Sequence, residues 1–250
     1  MNRILFETSE ICDDIATFGG VRAEHILNVL HGEVGQRLKT GVVDGPIGTS
    51  EIVEIQSGAT REGGPVIRVR VCHEAASLEP WVDLVLAPPR PRVMKRLLPQ
   101  LATLGVGRIF LVGAKKVEKD FWGATLLKPE NYRPLLIDGL MQGGTSILPT
   151  LETRRNFRKF LNEELDAIFP GTRRIVAHPY AKESSVAVSR RETTPDPRLL
   201  LAIGPEGGWT DEEVALLEAK GFARYSLGRR ILRTDTATIA LLAKLNTEDL

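Results

Sequence analysis

Two segments in the last fifth of the chain combine residue types that could do chemistry. The first is AIGPEGGWTDEEV, residues 202–214, where a glycine-rich turn lies between an apolar run and a helix start. Turns of this kind often hold phosphates, because their backbone N–H groups point toward the ligand. This one has Asp211, Glu212 and Glu213 in the first helical turn. Three carboxylates there would repel a phosphate, so a phosphate cradle is not predicted.

The same turn lacks the residues of the known nucleotide loops. No Gly-Lys-Ser/Thr follows the glycines, which excludes a P-loop, and GPEGG does not fit the G-x-G-x-x-G pattern of dinucleotide-binding folds. What remains is a rigid turn whose glycines allow close approach of backbone to a ligand, with Glu206 at the end of a predicted strand. The alternative is that Gly204, Gly207 and Gly208 only form a tight turn and that Glu206 is solvated.

The second segment is SLGRRILRTDTATIALLAKL, residues 226–245, which brings three arginines close together before a helix. Gly228 ends a predicted strand, and Arg229, Arg230 and Arg233 follow it. Clustered cations repel one another unless an anion is present, which favours a binding role. A surface salt bridge from Arg233 to Asp235 is the alternative. Because loops after neighbouring parallel strands meet at one sheet edge, the two segments can close on one ligand.

The elements that would position these segments fall into two groups. Residues 1–75 contain short strands separated by glycine turns and one helix near residues 23–30, which predicts a small β domain. From Trp81 onward, strands near residues 81–89, 108–114, 173–179, 199–205 and 223–228 alternate with helices. This alternation predicts a mainly parallel sheet with helices on both faces. Pro99 is expected to kink or interrupt the helix over residues 91–106.

The amino-acid composition limits the classes of protein to which the chain can belong. The chain has 250 residues and 42% apolar content, enough for a well-buried core. Cys12 and Cys72 offer neither a disulfide framework nor metal-ligand spacing, so we expect no metal site and a reducing compartment. The sequence contains no secretory signal and no apolar run long enough to span a membrane.

Charge is distributed unevenly along the chain. Residues 1–79 hold 7 Lys and Arg against 12 Asp and Glu, whereas the remainder holds 26 against 20. Within residues 88–119 eight cations accompany one acid, Glu118. This stretch is a candidate for binding a polyanion such as RNA, and a solvated helix face is the alternative.

The two glycine and arginine segments together resemble a known signature. IGPEGGWTDEEV (203–214) and LGRRILRTDTATIALLA (227–243) are similar to the C-terminal motifs of the RsmE family. Members of that family are S-adenosylmethionine (SAM)-dependent methyltransferases of the SPOUT class, which methylate N3 of a uridine in 16S ribosomal RNA. Weaker similarity covers RAEHILNVLHGEVGQRL (22–38), LATLGVGRIFLV (101–112) and AHP (177–179).

The resemblance implies a fold and a biological setting. The fold is an α/β, SPOUT-type knotted parallel sheet with helices on both faces, preceded by a small PUA-like β-barrel domain. The implied domains are residues 1–76 and 80–250, the second with a deep C-terminal trefoil knot. The implied protein is a cytoplasmic homodimer that binds no membrane and acts on ribosomal RNA of the small subunit during ribosome biogenesis.

The resemblance also assigns roles to residues of this sequence. SAM would contact main-chain and small groups of three loops, at His178, Ile203, Gly204, Gly207, Leu227, Gly228, Ile231, Leu232 and Thr236. The charge of the basic stretch, and not the resemblance, predicts RNA contacts at Arg90, Arg92, Lys95 and Arg96, and Arg230 is expected to position a phosphate. Because methylation of uracil N3 needs a proton acceptor and a cation near the carbonyl oxygens, the expected catalytic residues are Glu206 and Arg233.

Several positions depart from the family pattern and leave alternatives open. Asn28 and His31 stand where the family usually has arginines, and the acidic first domain is a poor electrostatic partner for RNA. Gln100 and Thr103 replace a lysine and a glutamate, and MQGGTSILP (141–149) replaces a Glu-Gln-x-x-Arg element. The alternatives are a SPOUT methyltransferase with another RNA target, such as a different rRNA site or a ribose 2′-hydroxyl, and an inactive ribosome-associated RNA-binding protein.

Overall fold

A computed structural model of the chain describes residues 2–58, 64–180 and 198–248. The chain forms two compact units. The first comprises Met1–Leu78 and Ile137–Leu148, and the second comprises Glu79–Leu136 and Pro149–Leu250. The grouping of residues 137–148 with the first unit was not anticipated from the sequence.

The first unit is built on a six-stranded sheet. Its strands are β1 (Ile4–Phe6), β2 (Ile11–Cys12), β3 (Ile15–Gly19), β4 (Arg37–Val42), β5 (Ile47–Gln56) and β6 (Val66–Ala75), in the order β1-β4-β5-β6-β3-β2. Strand β1 pairs with β4 in parallel, and the other pairs are antiparallel. Helix α1 (Gly20–Asn28) follows β3 and contributes Ala23 and Ile26 to the buried core.

Residues 141–148 belong to the first unit through specific hydrogen bonds. The backbone N–H groups of Asn2 and Arg3 both donate to the carbonyl of Met141 at 3.0 Å. The Ser146 hydroxyl donates to the Gly45 carbonyl at 2.6 Å. The segment that departs from the family pattern is therefore part of the packing of the first unit.

The second unit is a parallel sheet of six strands. They are β7 (Val82–Leu86), β8 (Val106–Val112), β9 (Thr150–Arg154), β10 (Arg174–Ala177), β11 (Leu199–Ile203) and β12 (Ala223–Tyr225), in the order β12-β10-β11-β7-β8-β9. All five neighbouring pairs are parallel. Every residue of β7 and β11 is buried, which requires cover on both faces of the sheet.

Helices supply that cover. Those that lie wholly in this unit are α2 (Pro91–Thr103), α4 (Phe157–Lys159), a π-helical segment (Phe160–Glu164), α5 (Leu165–Ile168), α6 (Asp211–Ala219) and α7 (Thr234–Glu248), whereas α3 (Pro129–Gly143) begins in this unit and ends in the first. Aromatic residues of the α4-to-α5 region pack with α6 against one sheet face. The other side includes α2, which contacts β8 and α7. The α/β fold class predicted from the sequence is confirmed.

The interruption expected at Pro99 does not occur, since α2 continues through it to Thr103. Burial of the Met94, Leu97, Leu98 and Leu101 face holds the helix together and outweighs the local cost of a proline. The Thr103 hydroxyl also donates to the Pro99 carbonyl at 2.9 Å. Within residues 2–58, 64–180 and 198–248, no helix is both long and apolar enough to cross a membrane.

Candidate active site

A cavity of about 390 Å³ lies beside three adjacent strands of the second unit. Strands β12, β10 and β11 are neighbours and all run parallel, so the segments that follow them meet at one edge of the sheet. Residues 177–180, 203–209 and 225–232 contribute to its wall. The volume is within the range typical of small-molecule sites.

The 203–209 segment is held in a defined turn. The Gly208 N–H donates to the Pro205 carbonyl at 2.8 Å, and Gly208 adopts φ +69°, which favours glycine. A Cβ on Gly204 would lie 3.1 Å from the indole ring of Trp209. A side chain at residue 204 would therefore press on the indole, so the cavity wall is made of backbone at this position.

The predicted start of α6 is confirmed. Thr210 and Glu213 form a capping box: the Thr210 hydroxyl oxygen accepts the Glu213 N–H, and the Glu213 carboxylate accepts the Thr210 N–H at 2.8 Å. Trp209 and Val214, on either side of the cap, are buried in one core cluster, as in a hydrophobic staple. The helix start thus fixes the end of the glycine turn.

Glu213 also reaches a different part of the chain. Its second carboxylate oxygen accepts the backbone N–H of Lys115 at 2.7 Å, in the segment after β8. The next residue, Lys116, then donates from Nζ to the Gly207 carbonyl at 2.7 Å. Lys116 forms part of the cavity wall although it lies 91 positions from Gly207.

The loops after β10 and β12 are connected by two hydrogen bonds. The His178 N–H donates to the Tyr225 carbonyl at 3.0 Å, and the Ser226 hydroxyl donates to the Pro179 carbonyl at 3.1 Å. His178 is half-buried, and burial, followed by the charge of Arg224, lowers the pKa of its imidazole below 6.5. The imidazole is thus neutral at pH 7.

The cavity brings together most of the residues that the resemblance assigns to SAM. Its wall includes His178, Ile203, Gly204, Gly207, Leu227, Gly228, Ile231 and Leu232. Thr236 is exposed and is not part of the wall, whereas Thr234, Ala237 and Leu241 are. Residues three and seven positions apart share one helix face, so α7 turns Thr236 away from the cavity.

The two expected catalytic residues have different positions. Glu206 is on the cavity wall. Arg233 is exposed, lies between two wall residues, Leu232 and Thr234, and is not itself part of the wall. The salt bridge from Arg233 to Asp235, which was the alternative role expected for Arg233, is not formed. Instead, Arg96 of α2 lies 3.6 Å from Asp235, which leaves the Arg233 guanidinium without an ion pair within the described part of the chain.

Arg90 lies beside Glu206. Its Nε donates to Glu118 at 2.9 Å and lies 3.5 Å from a Glu206 oxygen. The hydrogen bond to Glu118, and then the two carboxylate charges, raise the pKa of the Arg90 guanidinium. Arg90 therefore remains protonated and partly balances the charge of both acids.

The remaining predicted RNA contacts occupy two places. Arg92, Lys95 and Arg96 are exposed on α2, next to α7. Arg230 lies on the cavity wall. Arg90, just before α2, thus lies beside Glu206 of the cavity wall, and Arg96 of α2 lies beside Asp235 in the first turn of α7.

Sequence reasoning missed several wall residues, among them Lys116, Trp209, Asp211, Tyr225, Ala237 and Leu241. From the sequence, Lys116 could be recognised only as one of the eight cations of residues 88–119. Ala237 and Leu241 could have been found from the helical spacing that begins at Thr234.

A parallel α/β domain with a cavity built from three strand-end loops matches a known class. The sequence model of the RNA methyltransferase domain family covers residues 77–246. Over 245 residues the chain is 31% identical to the ribosomal RNA small subunit methyltransferase E of Treponema pallidum, covering 97% of this chain and 90% of that protein. The chain belongs to the family of ribosomal RNA small subunit methyltransferase E. A relative of Borreliella burgdorferi, ribosomal RNA small subunit methyltransferase E 1, is 24% identical and covers 96% of this chain and 95% of its own.

Solved structures share the fold. A ribosomal RNA small subunit methyltransferase E of Neisseria gonorrhoeae, bound to SAM, superposes with a TM-score of 0.70 at 20% identity, covering 99% of this chain and 97% of that chain. A Legionella pneumophila protein in complex with SAM gives a TM-score of 0.73 at 24% identity, covering 98% and 97%. At these identities the likeness establishes the fold.

Proposed function

We propose that the chain transfers a methyl group from SAM to N3 of a uridine in ribosomal RNA of the small subunit. The single observation that carries this proposal is the cavity formed where the segments after β10, β11 and β12 meet. It unites the two motifs by which the sequence resembles its family. Relatives named for this RNA, and neighbours solved with SAM, support the assignment.

The residues of the cavity fit SAM. Backbone at Gly204 and Gly207 and apolar side chains of Ile203 and Leu227 suit a flat adenine ring, which would be recognised through main-chain groups. The carboxylates of Glu206 and Asp211 on the wall attract a sulfonium cation. When bound, SAM supplies an electrophilic methyl group.

The residues around the target base would accept one proton and stabilise one developing negative charge. Uracil N3 must lose its proton, and the negative charge then spreads onto the two carbonyl oxygens. Glu206 is in place to accept the proton directly or through water. Among the residues that the structure describes, no carboxylate pairs with Arg233, so its guanidinium is available to stabilise the oxyanion after a rotation of its exposed side chain.

RNA would approach along α2. The exposed cations Arg92, Lys95 and Arg96 would contact phosphates, and Arg230 would contact RNA at the cavity. The first unit carries an excess of acids, so its contribution to RNA binding would depend on shape more than on charge.

Three further proposals follow from family membership. The domains are residues 1–76 and 80–250, except that residues 137–148 of the second range group with the first unit, and the protein works in the cytoplasm, where its ribosomal substrate is found. The chain forms a homodimer, and the exposed apolar residues Ile231, Leu232 and Ile239 are the candidates for contact between the two copies.

Two experiments test the function. Titration calorimetry with SAM should show binding at sub-millimolar cofactor, and no binding would exclude an active methyltransferase. In a strain with the gene disrupted, mass spectrometry of small-subunit RNA should show loss of 3-methyluridine. If that nucleotide persists while another modification is lost, the RNA target is different.

A further inference from the structure

A second, smaller cavity of about 170 Å³ adjoins the one assigned to SAM. The two cavities have four wall residues in common: Lys116, Pro205, Glu206 and Gly207. A molecule in the smaller cavity would therefore lie next to a molecule in the larger one. That is the relationship that an acceptor and a methyl donor require.

The wall of the smaller cavity includes three proline rings and one phenylalanine ring beside its charged groups. Pro88 and Pro89 follow β7 after Ala87 and are buried, as are Phe121 and Pro205. Rings of proline and phenylalanine pack well against a planar heterocycle, and RNA-binding proteins hold single unstacked bases on such surfaces. The interior thus suits a nucleobase.

Charged groups surround the cavity in an alternating arrangement. Arg90 Nε lies 2.9 Å from a Glu118 oxygen and 3.5 Å from a Glu206 oxygen, and Lys116 Nζ donates to the Gly207 carbonyl. Hydrogen-bond donors and acceptors therefore stand side by side, and all of these side chains are exposed enough to exchange partners.

This arrangement matches the edge of uracil. That edge presents a carbonyl oxygen, the N3–H donor and a second carbonyl oxygen. A carboxylate can accept from N3–H while a guanidinium or ammonium donates to the oxygens. Cytosine has a lone pair at N3, which would face the carboxylate and be repelled.

We propose that this cavity binds the base of the target uridine and that Arg90 and Glu118 determine its specificity. The inference rests on the proposed function and adds to it the residues that select the base. Glu206, on the wall common to both cavities, would then face N3 of the bound base. Arg90 has two functions in this scheme: it donates to the base and holds the two carboxylates in place.

Four single variants and a matched control pair test the assignment. Arg90→Ala, Arg90→Lys, Glu118→Ala and Glu118→Gln change the site. Arg158→Ala and Glu212→Gln change an exposed Arg–Glu pair elsewhere in the second unit that lines neither cavity. For each protein we would measure SAM affinity by calorimetry, and kcat and KM on small-subunit RNA that lacks the modification. Binding of uridine and cytidine monophosphate without SAM would be followed by ligand-observed NMR.

Arg90→Ala and Glu118→Gln are expected to lower kcat/KM for RNA by about tenfold or more, the effect of one lost charged hydrogen bond. SAM affinity should be unchanged in Glu118→Gln, because Glu118 does not line the larger cavity, and the control pair should behave like the unaltered chain. The preference for uridine over cytidine monophosphate should be lost with Arg90→Ala and retained with Arg158→Ala.

If the unaltered chain forms 3-methyluridine and the Arg90 and Glu118 variants stay within about twofold of it, the site assignment is overturned and the function stands. If the unaltered chain forms no 3-methyluridine, the proposed function fails. In that case the NMR titration decides: a uridine preference that depends on Arg90 supports a base-binding cavity, and no preference overturns it.

Discussion

The buried Glu213 carboxylate accepts the backbone N–H of Lys115 across 98 positions of sequence, at 2.7 Å. The same carboxylate caps α6 through Thr210. One side chain thus fixes both the end of the glycine turn and the loop that carries Lys116. Since Lys116 forms part of both cavity walls, Glu213 supports the site without lining it.

Replacing Glu213 with alanine should destabilise the chain by about 1–3 kcal/mol, because a buried N–H and a helix cap lose their acceptor. SAM affinity should also fall, since the loop of Lys116 is released. Urea unfolding and calorimetry measure the two effects. Glu212→Ala is the matched control, because that neighbour is exposed, and it should change stability by less than about 0.5 kcal/mol.

Arg233→Ala should lower methyl transfer by about 10²–10³-fold, the usual effect of removing one donor to a developing oxyanion. SAM binding should be largely retained, because Arg233 is not part of the cavity wall. Single-turnover methylation and calorimetry on the same preparation check this. Arg229→Ala is the control in the same loop. Equal loss of transfer and SAM binding in Arg233→Ala would show that the arginine has a cofactor role.

Reversing Arg92, Lys95 and Arg96 to glutamate should weaken RNA binding and flatten its dependence on salt. Each lost phosphate contact should reduce the slope of log K against log salt by about 0.7–0.9. Fluorescence anisotropy over a range of salt concentrations measures both quantities. The control reverses Lys128, Arg158 and Lys159, which are equally exposed. Identical slopes for the two triple variants would mean that α2 is not the RNA surface.

Asp83→Ala should be strongly destabilising. Asp83 is fully buried in β7, and a single carboxylate oxygen accepts from Nε and Nη2 of Arg108 at 2.9 and 2.7 Å. Because the Arg108 side chain is 31% exposed and keeps access to water, the expected cost is that of the lost charged hydrogen bonds, about 1.5–3 kcal/mol. Urea unfolding provides the test. Glu152→Ala, which breaks the more exposed contact to Arg154, should cost about 1 kcal/mol or less.

His178 predicts a dependence on pH. Its pKa is lowered, first by burial and then by Arg224, against smaller opposing effects of Asp211 and Glu218. Between the lowered pKa and 6.5, the folded chain binds fewer protons than the unfolded chain. The free energy of unfolding therefore falls as the pH decreases through that window, and it is unaffected by His178 above it.

The matched measurement compares the unaltered chain with His178→Gln by urea unfolding at about pH 7.5 and about pH 5.5, on either side of the ordinary histidine value. In the variant, the free energy of unfolding should change less between the two pH values than in the unaltered chain. His73, whose pKa is also lowered by burial and by Arg3, should account for some of the remainder. An unchanged pH dependence in His178→Gln would contradict the assignment.

The sequence predicted that the glycine turn and the arginine segment meet, and both line one cavity. This was possible because glycines and strand ends are local signals, and parallel strands bring their carboxyl ends together by geometry alone. The roles of Gly204, Gly207 and Leu227 toward SAM came from the resemblance and stay a prediction. The knot and the dimer came from the resemblance, since no spacing in the chain indicates them.

Contacts between distant positions could not be predicted. The Lys116–Gly207 and Arg96–Asp235 contacts depend on how helices and loops pack over the sheet. At Pro99 the local preference of proline predicted an interrupted helix, but α2 continues through it because one face of the helix is buried. Strand β9 was missed because four of its five residues, TLETR, are polar, so it lacks the apolar pattern that indicates a strand.

The membership of residues 137–148 in the first unit has a consequence for synthesis of the chain. Strand β1 follows directly on Asn2 and Arg3, whose N–H groups donate to Met141, and Asp44 accepts the N–H of Leu148. These acceptors and donors leave the ribosome after more than half of the polypeptide has been made. The hydrogen bonds of the first unit therefore cannot all form until residues 141–148 have also been synthesised. The first unit of an enzyme that modifies ribosomal RNA would therefore complete its folding at a time set by how fast the ribosome synthesises residues 79–148.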